Sequence, residues 1–259
     1  MKYKKFCARC FSKKIYVVRR EKYRCANCKY EWNPYKFPLH LSKKEWINIL
    51  RWFLRGMSSK AISYETGINR WRILRALTKV RIAMLKDVPD VFNGTVEIDE
   101  TYLGGQWENK RKSQKQAQSK RGRGTLKTPV FGILCRSGKV WAEIVTDVGE
   151  ATLIPLIRKQ VKLGSVICSD TWKSYNGIAA KGYIYRLVKH SKGEYSDKKG
   201  THINGLEGFW GYLKRKLAAK GGIRKERLSL YVAEYVWRYN YRNFTIKQQI
   251  DKLLNLLYE

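Results

Sequence analysis

The chain has 259 residues, with 54 lysines and arginines against 21 aspartates and glutamates, a formal charge of +33, and 44% hydrophobic residues. The hydrophobic fraction excludes a disordered basic tail, and the length suits one large core with small appendages. No apolar run predicts a membrane span or a signal peptide, so a cytoplasmic protein is expected. The charge predicts a polyanionic partner. Nucleic acid is favoured over an anionic membrane surface, because no basic helix has a bare apolar face.

Four of the six cysteines form two pairs near the N-terminus, Cys7-x2-Cys10 and Cys25-x2-Cys28, with 14 residues between the pairs. Two such turns can aim four thiolates at one point, which is the arrangement that Zn2+ prefers in structural sites. The spacing therefore predicts a zinc ribbon over residues 1–38, with a short hairpin between the pairs. Two disulfides are the alternative, and they fit poorly with a cytoplasmic chain.

Residues 39–90 are predicted to be helical and to bind DNA. Ser42 and Glu45 have the spacing of a capping box at the start of the first helix. After Gly56, a short helix, a turn at Gly67 and a basic second helix have the form of a helix-turn-helix. A helical hairpin with an ordinary solvated basic face is the less favoured alternative. The residues predicted to read DNA are Asn69, Arg70, Trp71 and Arg72.

From Thr95 onward the pattern changes to short strands with helices between them, in the order β-β-β-α-β-α-β-α. Residues 91–259 are therefore predicted to be an α/β domain with a mixed five-stranded sheet. The order resembles the ribonuclease H fold, in which an acid in the middle of the first strand lies next to an acid at the end of the fourth. Asp99 and Asp170 occupy those two places.

Acids are scarce in a chain this basic, so the presence of carboxylates at a strand centre and at a strand end suggests a specific role for them. Hard divalent ions such as Mg2+ take oxygen ligands. Two of them, about 3.5–4 Å apart, can activate a nucleophile on one side of a phosphodiester and stabilise the leaving oxygen on the other. An exposed partner of a nearby Lys or Arg is the ordinary alternative for any one acid. For Asp99 and Asp170, metal binding is the favoured interpretation.

Four sequence segments carry a more specific resemblance. Together they resemble the prokaryotic insertion-sequence DDE transposases of the zinc-ribbon-bearing group related to eukaryotic Merlin elements. The resemblance covers nearly the whole chain. The segments are VEIDETYLGG (96–105), VICSDTWKSYNG (166–177), HINGLEGFWGYLKRKL (202–217) and LYVAEYVWRYNYR (230–242).

The resemblance implies a catalytic site. Asp99, Asp170 and Glu207 would form the DDE triad and bind Mg2+ or Mn2+, and Lys214 would be the basic residue that follows the last acid. Glu207 and Lys214 are seven residues apart, so they share a helix face. Some relatives use Asn as the third residue, so Asn204 is the alternative third ligand.

The family resemblance also implies the reaction and its partners. Such transposases bind the terminal inverted repeats of their element, cut DNA by metal-assisted hydrolysis and join the freed 3′ ends to target DNA. Double-stranded DNA, a homo-oligomer that synapses two ends and a nucleoid-associated location are therefore expected. Two other functions stay open. One is a DNA-binding regulator whose catalytic domain is only a scaffold, and the other is a nuclease that cuts without joining. The presence of all three acids favours an enzyme over the regulator.

A segment at residues 105–128 interrupts the sheet with eight lysines and arginines and three glycines. Its composition predicts a basic loop that contacts phosphates, with an idle solvated insertion as the alternative. In the third motif, glycines recur every third residue from Gly205 to Gly211, which predicts close approach of either the sheet or DNA. Loop residues predicted to bind DNA are Lys110, Arg111, Lys112, Lys120, Arg121 and Arg123.

Overall fold

Contacts divide the chain into two compact units, residues 1–80 with 245–259, and residues 81–244. The last fifteen residues, which were predicted to belong to the catalytic domain, thus group with the first unit. The computed structural model describes residues 7, 9–10, 12–18, 22–32, 38–89, 91–104, 127–136, 138–169, 179–187 and 203–258.

The first unit begins with a three-stranded antiparallel sheet of β1 (Ile15–Val18), β2 (Lys22–Cys25) and β3 (Glu31–Trp32). Strands β1 and β2 form the hairpin predicted between the cysteine pairs, with Ile15 opposite Cys25. The side chains of Tyr23 and Trp32 stack with ring centroids 5.9 Å apart. The third strand was not predicted.

Helix α1 (Lys43–Leu54) starts at the predicted capping box. The Ser42 hydroxyl accepts the backbone N–H of Glu45 at 3.2 Å, and the Glu45 carboxylate accepts the backbone N–H of Ser42 at 2.7 Å. The buried face of α1 carries large apolar side chains, Trp46 among them, and α1 packs against the last helix of the chain. Its apolar stripe explains why the C-terminal helix belongs to the first unit.

Two further helices follow α1 in the order that was predicted. Helix α2 (Ser59–Thr66) is capped by Ser58 and ends at Gly67, whose φ of 68° is in the left-handed region that glycine adopts readily. Ile68 is buried in the turn, and helix α3 (Arg70–Lys86) begins two residues later. The boundary between the two units falls within α3.

The second unit contains a mixed five-stranded sheet, as predicted. Its strands lie in the order β6-β5-β4-β7-β8. Strands β4, β5 and β6 pair antiparallel, whereas β7 pairs parallel with both β4 and β8. The strand bounds are β4 (Thr95–Leu103), β5 (Thr128–Cys135), β6 (Val140–Ile144), β7 (Val166–Ser169) and β8 (Ile184–Leu187).

Helices cover both faces of this sheet. Helix α4 (Glu150–Gln160) packs on one face, in an apolar cluster that includes Val96 and Ile98 of β4. Helices α5 (Asn204–Ala218) and α6 (Leu228–Asn240) pack on the other face, in a second cluster. Because side chains alternate along a strand, Glu97, Asp99 and Thr101 point toward the second face.

The second unit also contains a buried charge cluster between the end of α3 and α6. The carboxylate of Glu234 is 1% exposed, and it pairs with Arg81 at 2.7 Å and with Arg238 at 2.9 Å. The indole Nε1 of Trp237 donates to Asp87 at 2.9 Å. Paired guanidinium groups satisfy a carboxylate that burial would otherwise destabilise.

Helix α7 (Ile246–Tyr258) ends the described chain. None of the helices in the part of the chain that the structure describes is both long and apolar enough to cross a bilayer.

Candidate functional site

The four N-terminal cysteines converge, as their spacing predicted. Their sulfur atoms all lie within 4.8 Å of one another, with 3.6 Å between those of Cys7 and Cys28 and 3.5 Å between those of Cys10 and Cys25. A disulfide would need about 2.05 Å between sulfurs. Four thiolates at about 2.3 Å from a zinc ion lie about 3.8 Å apart, so this donor set and spacing fit Zn2+.

Backbone hydrogen bonds reach sulfur atoms of this cluster, including those of Cys7 and Cys25. The backbone N–H of Arg9 donates to the Cys7 sulfur at 3.3 Å. Hydrogen bonds from the backbone N–H groups of Cys28 and Asn27 lower the pKa of the Cys25 thiol to about 6, which favours the thiolate form that binds metals. Cys135 and Cys168 belong to the second unit and are buried.

In the second unit, Asp99 lies in the middle of β4, opposite Gly132 of β5. Its carboxylate Oδ2 accepts a hydrogen bond from the indole Nε1 of Trp210 on α5 at 3.0 Å. Trp210 is 4% exposed, so its ring belongs to the core. The bond to Asp99 was not predicted, because the two residues are 111 positions apart in the sequence. The bond brings α5 onto the strand that carries the first acid.

A second acid on β4, Glu97, also contacts α5, and the sequence analysis did not select it. It is 1% exposed; Oε2 accepts the backbone N–H of Leu206 at 2.9 Å, and Oε1 lies 3.6 Å from Nε of Arg136. Glu97 thus satisfies one N–H of the first turn of α5, where Ile203 at the N-cap makes no side-chain hydrogen bond. The available signal was an acid two residues before Asp99, and therefore on the same face of the strand.

The remaining predicted residues of α5 lie on its exposed side. Glu207 and Lys214 are exposed, and Asn204, the first residue of the helix, is exposed as well. Trp210 lies between Glu207 and Lys214 in sequence and on the same side of the helix. The predicted third acid and the predicted lysine therefore lie at the exposed edge of the helix face that meets Asp99.

Outside the described residues lie Asp170 and the basic residues predicted to bind DNA, Lys110, Arg111, Lys112, Lys120, Arg121 and Arg123. The described part of β7 ends at Ser169, one residue before Asp170 in the sequence. In the parallel pairing of β4 with β7, Glu97 lies opposite Cys168. Glu97 comes two positions before Asp99, and Cys168 comes two positions before Asp170.

Packing against the sheet accounts for the first of the three helical glycines. A Cβ on Gly205 would come within 3.0 Å of Glu97 Oε2 and 3.2 Å of Leu134, so only glycine fits without a shift. A Cβ on Gly208 would meet no described atom within 4 Å. The sheet therefore explains Gly205 and does not explain Gly208.

The predicted DNA-reading residues differ in their contacts. Asn69 Oδ1 accepts the backbone N–H of Trp71 at 2.9 Å, which caps the start of α3. Arg72 donates through Nη2 to the carbonyl oxygens of Leu39 at 3.2 Å and His40 at 2.9 Å. Both of those residues have left-handed φ values, 65° and 50°, so the guanidinium group holds an unusual backbone turn.

Arg70 and Trp71 are also exposed at the start of α3. Unlike Asn69 and Arg72, they are not assigned a role in holding the backbone. Trp71 is 76% exposed, and Tyr64 on α2 is 88% exposed. Large aromatic side chains are seldom this exposed without a partner, and Trp71 lies between Arg70 and Arg72 in the sequence.

Sequence comparisons identify relatives of this chain. It is 37% identical, over 119 residues, to a transposase-like protein of Haemophilus influenzae, a match that covers 46% of this chain and 94% of the relative. It is 27% identical, over 186 residues, to a protein of the transposable element ISH50 of Halobacterium salinarum, which covers 68% of this chain and 60% of the relative.

A structural comparison finds the crystal structure of a pre-cleavage Mos1 transpososome. That match covers 86% of this chain and 80% of the other, with 10% sequence identity and a TM-score of 0.24. A score of this size does not establish a shared fold. The ISXO2-like transposase domain matches residues 91–240, more than half of the chain. The chain therefore belongs to the ISXO2-like family of insertion-sequence DDE transposases.

Proposed function

We propose that the protein binds the terminal inverted repeats of its element, cleaves the DNA by metal-assisted hydrolysis and joins the 3′ ends to target DNA. Beyond membership of the family, the main support for this proposal is the 3.0 Å hydrogen bond from Trp210 to Asp99, which joins α5 to the central strand. Through that contact, the helix that bears Glu207 and Lys214 lies against the strand that bears Asp99.

The proposed catalytic domain is ribonuclease H-like. A central strand β4, flanked by antiparallel β5 and parallel β7, supports this assignment, because the first and fourth strands of the domain are then neighbours. Acids carried by those two strands can share metal ions. The proposed domain boundaries remain those of the sequence analysis, except that α7 groups with the first unit.

Asp99, Asp170 and Glu207 are the residues that would hold Mg2+ or Mn2+. Hard carboxylate oxygens suit these ions, and the half-buried Asp99 and the exposed Glu207 leave room for a DNA substrate. When bound, the ions would supply the Lewis acidity for hydrolysis and strand transfer. Lys214 would bind a phosphate beside them, and Glu97 would hold the start of α5 against β4.

The rotation of α5 favours Glu207 over Asn204 as the third ligand. At about 100° per residue, Glu207 is turned by about 60° from Trp210 and Lys214 by about 40°. Asn204 is turned by about 120° from Trp210. Because Trp210 faces Asp99, Glu207 is better directed toward that acid, and a carboxylate binds Mg2+ better than an amide oxygen does.

The N-terminal unit would supply structure and DNA binding. Zn2+ held by the four cysteines would stabilise the small sheet without catalytic chemistry, since four protein ligands leave no open position. Helices α2 and α3 would act as a helix-turn-helix, with Arg70 and Trp71 at the DNA, while Asn69 caps the start of α3 and Arg72 holds the turn before α1. A homo-oligomer would synapse two transposon ends.

The test uses a duplex that carries the terminal repeats of the element and a target plasmid. Asp99→Asn and Asp170→Asn should each abolish both cleavage and joining while end binding remains, because an amide keeps the shape but loses the charge that the metals need. Glu143→Gln, at an exposed acid on β6, is the matched control and should keep full activity. Joining by either Asn variant would contradict the proposal, and cleavage without joining by the wild type would indicate a nuclease.

A further inference from the structure

Trp210 makes two contacts that meet at one pair of opposed residues in the sheet. Its indole Nε1 donates to Oδ2 of Asp99 on β4 at 3.0 Å. The far edge of its ring lies over Gly132 on β5, where an added Cβ would be 2.5 Å from both Cη2 and Cζ2. Asp99 and Gly132 are directly opposite each other in the antiparallel pairing. The ring therefore rests on the backbone of β5 and reaches across to the acid on β4.

Gly132 is needed for this arrangement because of space. Real Cβ atoms essentially never come within 3.0 Å of another heavy atom, so any other residue at 132 would displace the indole. The neighbouring strand positions on this face carry larger side chains, Val130 and Leu134, that pack in the same cluster. The sheet thus contains a gap one side chain wide, and the Trp210 ring fills it.

The carboxylate of an aspartate needs such support when its orientation matters. Rotation about its terminal torsion is soft, with broad preferences, so the backbone of a strand does not fix the direction of the two oxygens. A buried indole, in contrast, has its rotamer set by packing on several sides. A hydrogen bond between the two transfers the fixed geometry of the core to the carboxylate.

We propose that Trp210 is a positioning residue, which holds the Asp99 carboxylate in the rotation that binds the catalytic metal. This inference rests on the proposed function, because it takes Asp99 to be a metal ligand. Residues that hydrogen-bond a metal-ligating carboxylate commonly contribute about 10–100-fold in metal affinity or activity. Trp210 would therefore act on metal binding, beyond its part in the core.

The same chain offers a matched control. Trp237 on α6 is 1% exposed, and its indole Nε1 donates to Oδ2 of Asp87 at 2.9 Å. That bond joins a buried tryptophan to an aspartate which is not assigned to the metal site. Trp210→Phe and Trp237→Phe remove the same kind of hydrogen bond and the same number of ring atoms. Only the first should change metal binding.

The experiment measures Mn2+ binding to the full-length, zinc-loaded protein by electron paramagnetic resonance of the free ion. The Asp99-dependent site is defined as the binding that disappears in Asp99→Asn. We expect Trp210→Phe to weaken this site about tenfold or more. Trp237→Phe should leave the affinity at the wild-type value. The Mn2+ concentration for half-maximal cleavage of an end-containing duplex should rise in parallel for Trp210→Phe alone.

Two further variants separate positioning from simple loss of packing. Replacing Trp210 with 3-benzothienylalanine keeps the ring size but puts sulfur in place of the N–H, so it should weaken Mn2+ binding with little change in melting temperature. Gly132→Ala leaves Trp210 in the sequence but displaces its ring, so it should weaken Mn2+ binding as well.

The outcomes distinguish this inference from the proposed function. If Asp99→Asn loses Mn2+ binding while the benzothienyl variant binds like the wild type, Trp210 does not position the acid and the proposed function stands. The same conclusion follows if Trp210→Phe and Trp237→Phe weaken binding equally. If Asp99→Asn keeps both Mn2+ binding and cleavage, the proposed function itself is wrong.

Discussion

The two β-sheets of this protein are stabilised in different ways. Within the three strands of the N-terminal sheet only Cys25 is buried, and several large side chains are exposed. The five-stranded sheet, in contrast, has an apolar cluster on each face. A sheet of three short strands buries too little surface to fold alone, and its four convergent thiols take the place of a core.

The larger sheet can therefore carry costly groups that the smaller one cannot. Its central strand holds the buried Glu97 and the half-buried Asp99, which both contact α5. Burying a carboxylate costs free energy, and a domain tolerates that cost where the group is hydrogen-bonded and the surrounding apolar surface stabilises the fold. The thiols of the small sheet are thus expected to stabilise its fold, whereas the carboxylates of the large sheet are held in place by a fold that is stable without them.

Removing a thiol should give the largest effect on folding. Cys25→Ser should lower zinc content well below about one ion per chain, since three thiolates bind Zn2+ more weakly than four. Structural zinc contributes about 10–16 kcal/mol in small zinc modules, so the N-terminal sheet should unfold. Metal analysis and amide hydrogen exchange would measure both changes.

If the two sheets are stabilised independently, Cys25→Ser should unfold only the N-terminal sheet. Exchange in β1 and β2 should become fast, while exchange in β4 and β5 stays slow. Cys135→Ser, at a buried cysteine outside the cluster, is the control and should keep the zinc. Equal loss of protection in both sheets would show that the small sheet does not depend on zinc in its own right.

On the large sheet, the strongest effect should be on activity. Glu207→Gln should reduce metal-dependent cleavage by at least about a hundredfold, because losing a ligand exceeds the loss of an outer partner. The melting temperature should hardly change, since Glu207 is exposed. Asn204→Ala should keep most of the activity. An active Glu207→Gln variant together with an inactive Asn204→Ala variant would reverse the choice of third ligand.

The proposed DNA contact of the basic segment 105–128 can be tested by a deletion that the pairing of β4 with β5 permits. Leu103 and Thr128 are paired across the strands, so deleting residues 106–127 leaves the two glycines Gly104 and Gly105 as a two-residue hairpin connection. For every DNA phosphate that the shortened protein no longer neutralises, the slope of log affinity against log salt should fall by about 0.9.

Salt titration of DNA binding would measure that slope for the deletion. A full-length loop with Ser at its eight basic positions is the control for length, and it should lower the slope equally. An unchanged slope in both variants would mean that the loop does not contact DNA and that the N-terminal unit provides the phosphate contacts.

Glu97 should affect stability more mildly. Glu97→Ala removes one of the two acceptors of the Leu206 N–H, the other being the Ile203 carbonyl at 3.1 Å, and it removes the partner of Arg136, so the free energy of unfolding should fall by about 1–3 kcal/mol. Glu97→Gln keeps an acceptor for the N–H and should lose less. Thermal unfolding would rank the two variants, with the exposed Glu143→Ala as a control. Identical melting of Glu97→Ala and the wild type would exclude the anchoring role.

Local signals in the sequence predicted much of this fold. The capping box at Ser42, the hairpin between the cysteines and the strand around Asp99 depend on neighbours within a few residues, and the structure contains all three. The bond from Trp210 to Asp99 could not be predicted, because it depends on how a helix settles on a sheet 111 residues away in sequence. The grouping of the final helix with the first unit was not predicted, because it depends on the contact between that helix and α1.

The role of Arg72 illustrates the same limit on a smaller scale. By sequence, Arg70 and Arg72 are equivalent basic residues at the start of a recognition helix. In the structure both side chains are exposed, but Arg72 donates to the carbonyl oxygens of Leu39 and His40. Spacing along α3 could not separate them, because the partner carbonyls lie more than 30 residues earlier in the chain.

The smallest expected effect separates these two arginines. If Arg70 contacts a base edge, Arg70→Ala should weaken binding to the terminal repeats by about 1–3 kcal/mol and binding to random DNA by less. Arg72→Ala should weaken both DNAs by a similar factor. Its guanidinium holds two left-handed residues before α1, so its loss disturbs the unit as a whole.

Competition binding with both DNAs at one salt concentration would measure the ratio of the two affinities. Lys79→Ala, an exposed basic residue farther along α3, is the control for loss of charge alone. If Arg70→Ala and Lys79→Ala reduce both affinities equally, α3 binds only the DNA backbone, and sequence reading must lie elsewhere in the protein.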